Sequence, residues 1–278
     1  MVSDAWVERE QLMKYSSPFA LEPDFQFCLQ EGRFAFTAEE RNRLDTVWRE
    51  HAREKPLNYN GALFTVLEKS EGGLQAAFRQ GCGHFRVVET EYAHYLATRQ
   101  ELMVGQRACH SLAASVLPLT QDGCLIFGRM ATMKTDSGEI KFIGGSSERA
   151  DFVEGCYVPE RTARRELLEE LGPLLGSAGE LAGFAWMARP LHLASLTALL
   201  VWRIPWTAAA VLSQYDRQKA DWRRAGGDIE LEELLVLRAA EADFACFVNM
   251  HRGRLAPFLR DLLTLHQAEL LRVCGRGE

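Results

Sequence analysis

Arg165-Glu166-Leu167-Leu168-Glu169-Glu170-Leu171-Gly172 is the stretch on which the reading of this chain turns. Its pattern predicts a helix in which Glu166 and Glu170, four residues apart, share a face with Glu169 beside them. Three like charges on two adjoining turns repel one another at neutral pH. A hard divalent cation removes that cost, and Mg²⁺ prefers a few carboxylate oxygens together with water and substrate phosphate. Arg165, one turn before Glu169, neutralises part of the excess. The plainer reading is a solvated acidic helix face, but the run has boundary signals of its own. Gly172 and Pro173 stop the helix, and Gly144-Gly145 stand upstream, after the apolar stretch Ile140 to Ile143.

The order is therefore strand, glycine pair, loop, acidic helix, glycine stop. At these residues the chain resembles the Nudix hydrolases, whose signature is G-x5-E-x7-R-E-U-x-E-E-x-G-U, with U a bulky aliphatic residue. Arg165, Glu166, Leu167, Glu169, Glu170 and Gly172 match its second half, and Pro173 stands where the last aliphatic is expected. In the first half, the Glu slot holds Tyr157 and the Gly slot holds Asp151. The glycine pair lies further upstream than the signature places it, which reads as a loop insertion from Ser146 to Tyr157. Glu148, Asp151 and Glu154-Gly155 fit a looser acidic-loop pattern similar to that of some bacterial members.

The chain has 278 residues, 47% hydrophobic and 25% charged, the profile of an ordinary soluble globular protein near the limit for one core. A net charge of −6 speaks against a nucleic-acid backbone as the main partner, because phosphate contacts need clustered Lys and Arg. The seven cysteines are scattered with no C-x-x-C pair, which suits buried thiols in a reducing cytosol and not a disulfide framework or a structural zinc site. A secretory signal is not expected, since no basic n-region and apolar h-region opens the chain. No uninterrupted apolar run of about eighteen residues reads as a membrane span. A cytoplasmic location is the expectation.

Local patterns supply the remaining elements. Thr37 and Glu40 form a capping-box pattern that starts a helix to about Arg53. Strands are expected over 62–68, 73–79 and 85–89, and a helix over 91–99. Residues 1–24 read as an irregular arm. From Gly105 a new block begins, with a strand over 111–119, a hairpin turn at Asp122-Gly123, a returning strand over 124–130 and a loop over 131–138. The acidic helix is expected from Pro159 to Leu171. Strands over 180–187 and 191–204, a helix over 207–225, a strand over 231–237 and a leucine-rich helix over 257–273 complete the reading. The fold class is α/β. Order and lengths suit a mixed sheet between helices, an α/β/α sandwich over 105–278 preceded by an N-terminal α+β extension over 1–104.

The resemblance implies attack of water on a nucleoside diphosphate linked to a second moiety X, with Mg²⁺ or Mn²⁺ as cofactor. Carried onto this sequence, Glu166 and Glu170 become the leading metal ligands, Glu169 the third, and the backbone carbonyl of Gly145 completes the set. Arg165 takes the part of orienting the acids. The general base stays open between Glu166 and the later acids Glu230, Glu232 and Glu233. Arg129, Lys134 and Lys141 flank the expected site as donors to terminal phosphates. The order Trp48, Asn60-Gly61, Tyr92, Tyr95 and Arg99 is faintly similar to Nudix proteins that cleave UDP-sugars, while ADP-ribose or a dinucleotide fits nearly as well. A small nucleotide diphosphate is the expected partner, with no nucleic acid and no membrane; a homodimer is left open. The competing reading is a catalytically weakened Nudix-type protein that senses a nucleotide or serves as an interaction protein, and Tyr157 in the Glu slot is what keeps it alive.

Overall fold

The computed structural model describes residues 19–55, 59–67, 73–131, 137–188 and 195–275. Two strands open it, β1 (Phe19–Leu21) and β2 (Asp24–Arg33), where an irregular arm to residue 24 was expected. Helix α1 (Ala38–Glu54) starts at Thr37, whose hydroxyl accepts the Glu40 N–H at 3.2 Å while the Thr37 N–H donates to the Glu40 carboxylate at 2.8 Å. This is the reciprocal cap that the sequence pattern predicts. Strand β3 (Ala62–Leu67) follows.

Residues 73–80 form helix α2 (Gly73–Gln80), not a strand. Leu74, Ala77 and Phe78 go inward together, a spacing that serves a helix face and that the glycines before it disguise. Then come β4 (Cys82–Glu91), α3 (Tyr92–Arg99), β5 (Ser111–Thr120), β6 (Cys124–Met130), β7 (Ile140–Lys141) and β8 (Ile143–Ser146). The expected insertion loop is a small hairpin, β9 (Phe152–Val153) with β10 (Cys156–Tyr157). The acidic helix α4 (Pro159–Leu171) runs straight into the short α5 (Pro173–Gly176). Strands β11 (Glu180–Ala188) and β12 (Ser195–Ile204), helix α6 (Ala208–Arg224) and strand β13 (Leu231–Arg238) follow; part of the strand expected over 191–204 lies outside the described residues. Helix α7 (Glu241–His251) was not expected. The leucine-rich tail is two helices, α8 (Pro257–Leu265) and α9 (Gln267–Val273), because His266 leaves helical geometry at φ −121° and ψ 31°.

All thirteen described strands join one mixed sheet. Its hub is β5, which pairs along its full length with β12 in parallel. Along its other edge β5 meets β3 at Thr65–Ser111, β8 from Ala113 to Val116, and β6 at Leu119–Leu125. Strands from both sides of residue 104 thus share this sheet: β3 on β5, β1 on β11, and β2 on β10. Alternation along each strand sends side chains to two cores. On one face Ile126 and Trp186 pack with Ala163, Leu167 and Leu171 of α4 and with Val211 and Tyr215 of α6. On the other, Phe127 and Met187 pack with Phe244, Leu259, Leu262 and Leu270 of the last three helices. The layers are helix, sheet, helix. A smaller core, Leu44, Val47, Leu96 and Met103, joins α1 to α3. Among the described residues no helix is long and apolar enough to cross a membrane.

Candidate functional site

Helix α4 is built to press one side onto the sheet. Pro159 occupies its first turn, where a missing N–H costs nothing, and Gly172 ends it at φ +87°. The apolar positions Ala163, Leu167 and Leu171 fill the core, and Glu166 and Glu170 are carried inward with them, only 7% and 3% exposed. Both acids meet β8. The Gly144 N–H donates to Glu170 Oε2 at 3.1 Å, tying helix to strand. A Cβ at Gly144, which sits at φ +143°, would strike the Ala114 carbonyl oxygen, and a Cβ at Gly145 would fall on the Glu166 carboxylate. The sheet forbids a side chain at the first glycine; the acid forbids one at the second.

Burying two carboxylates side by side is expensive unless something answers their charge. Burial, together with the charges of Glu169 and Glu230, pushes Glu166 up to about 7 against the opposing pull of Arg165. Burial also drives Glu170 well above the carboxylate range, with Glu230 and Glu166 adding to it and Lys141 opposing. Lys141 Nζ stands 3.8 Å from Glu170 Oε1 and 3.3 Å from Glu230 Oε1, a cation between a buried acid and a half-exposed one. Among the described residues, Glu170 Oε1 is buried with no hydrogen-bond partner. Two buried carboxyl groups side by side, one with an oxygen that only a long ion pair to Lys141 engages among the described residues, are a donor set that a hard divalent cation fits by displacing their protons. Among the described residues no three His, Cys, Asp or Glu side chains close into a preformed cation cage. The side chains that could hold such a cation are those of Glu166 and Glu170.

Arg165 organises the rim. Its guanidinium donates to Glu166 Oε1 at 2.7 Å, to the Ser146 carbonyl at 2.8 Å and to Glu169 Oε2 at 3.3 Å. It also reaches Asp151, 3.5 Å away. Asp151, 3% exposed, accepts the Glu148 N–H at 2.8 Å and the Thr162 hydroxyl at 2.7 Å. Asp151 is therefore the anchor of the insertion and not a free acid, while Glu148 and Glu154 are exposed. Tyr157 is buried in the core, its hydroxyl 3.0 Å from Thr162 Oγ1.

The structure gathers only part of the expected set. Glu166, Glu170, Gly145 and Lys141 come together, with Glu230 facing them. Glu169 turns outward, its side chain 58% exposed. Arg129 pairs with Glu233 at 2.9 Å on the face of β6 that carries Phe127, opposite to α4. Glu232 bonds to Arg223 at 3.1 Å. Lys134 lies outside the described residues. Tyr215, expected only as an inward position of its helix, is a neighbour of the site: its hydroxyl donates to the Leu231 carbonyl at 2.5 Å, and the Glu170 charge helps burial push that hydroxyl's titration upward. Thr162 was missed. Both carry a spacing signal: Thr162 stands one turn before Glu166 on the same helix face, and Tyr215 one turn after Val211 on the inward face of α6.

No protein-family profile and no curated protein matches this chain. Among solved structures, it is similar to a MutT protein from Methanosarcina mazei Go1, at 14% identity and a TM-score of 0.35, over 57% of this chain and 94% of that one. It is similar to a mutT/nudix family protein from Listeria innocua, at 12% identity and a TM-score of 0.35, over 58% of this chain and 94% of that one. A Nudix hydrolase from M. smegmatis, RenU, is similar at 11% identity and a TM-score of 0.34, over 59% of this chain and 84% of that one. At identities and TM-scores this low, the likeness assigns neither an activity nor a site.

Proposed function

We propose that this chain hydrolyses the diphosphate linkage of a nucleoside diphosphate joined to another moiety, in a reaction that depends on Mg²⁺ or Mn²⁺. The observation that carries the reading is the buried pair Glu166 and Glu170 behind Gly144-Gly145, with Glu170 Oε1 lacking a hydrogen-bond partner among the described residues. A divalent cation bound there supplies neutralisation of the diphosphate and a water of lowered pKa. The chain's own residues do the rest. Arg165 fixes the Glu166 carboxylate, and the Gly144 N–H fixes that of Glu170. Lys141, placed between Glu170 and Glu230, meets the outer phosphate charge as a charge-assisted donor. Glu230, at the open side and paired among the described residues with the Lys141 amine, receives the proton from the attacking water. A nucleotide sugar such as a UDP-sugar is one substrate in range, with a mononucleotide and a sugar phosphate as products.

The test is a panel of nucleoside diphosphate compounds, each with Mg²⁺ and with Mn²⁺, in which released mononucleotide is measured. Release from one compound class, abolished by chelation, supports the reading. One observation favours a nucleotide sensor instead: Tyr157, at the slot where the resembled signature has Glu, is a core residue with its hydroxyl satisfied. Calorimetric binding of a nucleotide with no product over hours, under either cation, would move the reading to that alternative.

A further inference from the structure

We propose that Cys28 and Cys156 are a redox couple that closes to a disulfide under peroxide and staples the hairpin bracing the acidic helix to the N-terminal strand. The two residues face each other across the antiparallel pair of β2 and β10. The Leu29 N–H donates to the Gly155 carbonyl at 2.7 Å, so the cysteines occupy a non-hydrogen-bonded pair. In such pairs the Cα atoms approach to about 4.5 Å and the side chains lie close, within the range disulfides span. Their sulfurs are 3.8 Å apart, although 128 residues separate them in sequence. Both point away from the core, since Phe27 and Tyr157, their chain neighbours, are the buried members of their strands. Cys156 is exposed and Cys28 half-buried, so a small oxidant reaches the first and the second is positioned to resolve it.

The chemistry balances with hydrogen peroxide as the oxidant. The Cys156 sulfur takes one peroxide oxygen, becoming a sulfenic acid and releasing water. The Cys28 thiol attacks that sulfur, the S–S bond forms, and the oxygen leaves as a second water. Two thiols lose two electrons and two protons, which the peroxide receives. The consequence runs through the hairpin. At its base the Val158 N–H donates to the Asp151 carbonyl at 2.9 Å, and the Asp151 carboxylate engages Thr162 and Arg165 of α4. A covalent bond at Cys156 restrains that brace. Closed disulfides that are exposed are also the ones reductants reopen.

The experiment treats the full chain with peroxide, blocks remaining thiols by alkylation and maps peptides by mass. The expected result is a Cys28–Cys156 linked peptide, lighter by about 2 Da than its reduced parts, that dithiothreitol separates. A melting temperature raised by roughly 5 °C should accompany it and vanish on reduction. Exposed Cys82 and Cys246 serve as internal controls and stay alkylatable. Cys28→Ser should leave Cys156 to accumulate as sulfinic acid. The proposal is overturned if wild-type Cys28 remains alkylatable while Cys156 is overoxidised, or if the linked peptide joins other cysteines. The wild-type map decides this without the variant, and without any assay of hydrolysis.

Discussion

Two acidic runs of similar composition meet opposite fates in this molecule. In the α4 run, Glu166 and Glu170 are drawn under the sheet while Glu169 stays outside. Around the start of β13, Glu230, Glu232 and Glu233 all remain 40–46% exposed, each beside its own cation, Lys141, Arg223 and Arg129. Charge alone therefore does not make a site. Helical spacing sets Glu166 and Glu170 next to Leu167 and Leu171, so the drive to bury leucine takes the carboxylates inward with it. On the strand, alternation across a bulge between Leu231 and Glu233 sends the acids to the rim or to different partners. Desolvated acids change their chemistry; solvated acids only decorate a surface.

The widest break of that comparison is Glu170→Gln. It keeps the shape and the Gly144 hydrogen bond but removes the buried charge, and turnover on any substrate found by the panel should fall by ~10²-fold or more with the fold intact by circular dichroism. Near-normal turnover would remove α4 from the chemistry. Gly145→Ala comes next. The added methyl falls on the Glu166 carboxylate and must push it from its place. Turnover should drop roughly tenfold and cation affinity with it, a loss of about 1.4 kcal/mol; an unchanged titration with Mn²⁺ would mean that Glu166 does not need its present position.

The third prediction concerns pH. Glu166 titrates at about 7 in the folded chain against an ordinary value of 4.5, and Glu170 is displaced in the same direction. The folded chain then holds protons that the unfolded chain has already released. Without divalent cations, these two groups contribute most below pH 4.5 and progressively less as pH rises through 7. A cation competes with those protons, so added Mg²⁺ should raise the melting temperature by a few degrees at pH 8 and scarcely at pH 5. Equal shifts at both pH values, measured by scanning calorimetry, would contradict the arrangement. The smallest effect belongs to the other run. Glu233→Gln breaks a half-exposed pair with Arg129, and stability should change by about 0.5 kcal/mol or less with turnover unmoved. A large loss of turnover there would erase the contrast between the two runs.

Much of the architecture was legible because local signals agree with tertiary need. The Thr37 box, the Asp122-Gly123 hairpin, Pro159 and Gly172 mark boundaries that the structure keeps. The failures are equally specific. The strand expected over 73–79 fails because two glycines hide a one-sided helix, and the single helix expected over 257–273 fails because leucine periodicity passes through His266 without a break. The hairpin within 152–157 has strands of two residues, too short for any alternation to register.

Sequence by itself determined which residues could carry the chemistry: the Glu166–Glu170 spacing and the glycine pair follow from covalent order and helical pitch. Only the tertiary structure decided which of them stand in low dielectric. It turned Glu169 outward, sent Arg129 to the far face, made Tyr157 core and Asp151 an anchor, and brought Lys141 and Glu230 to the buried acids. Burial and long-range pairing depend on which surfaces meet in space, and no local pattern in one chain records that.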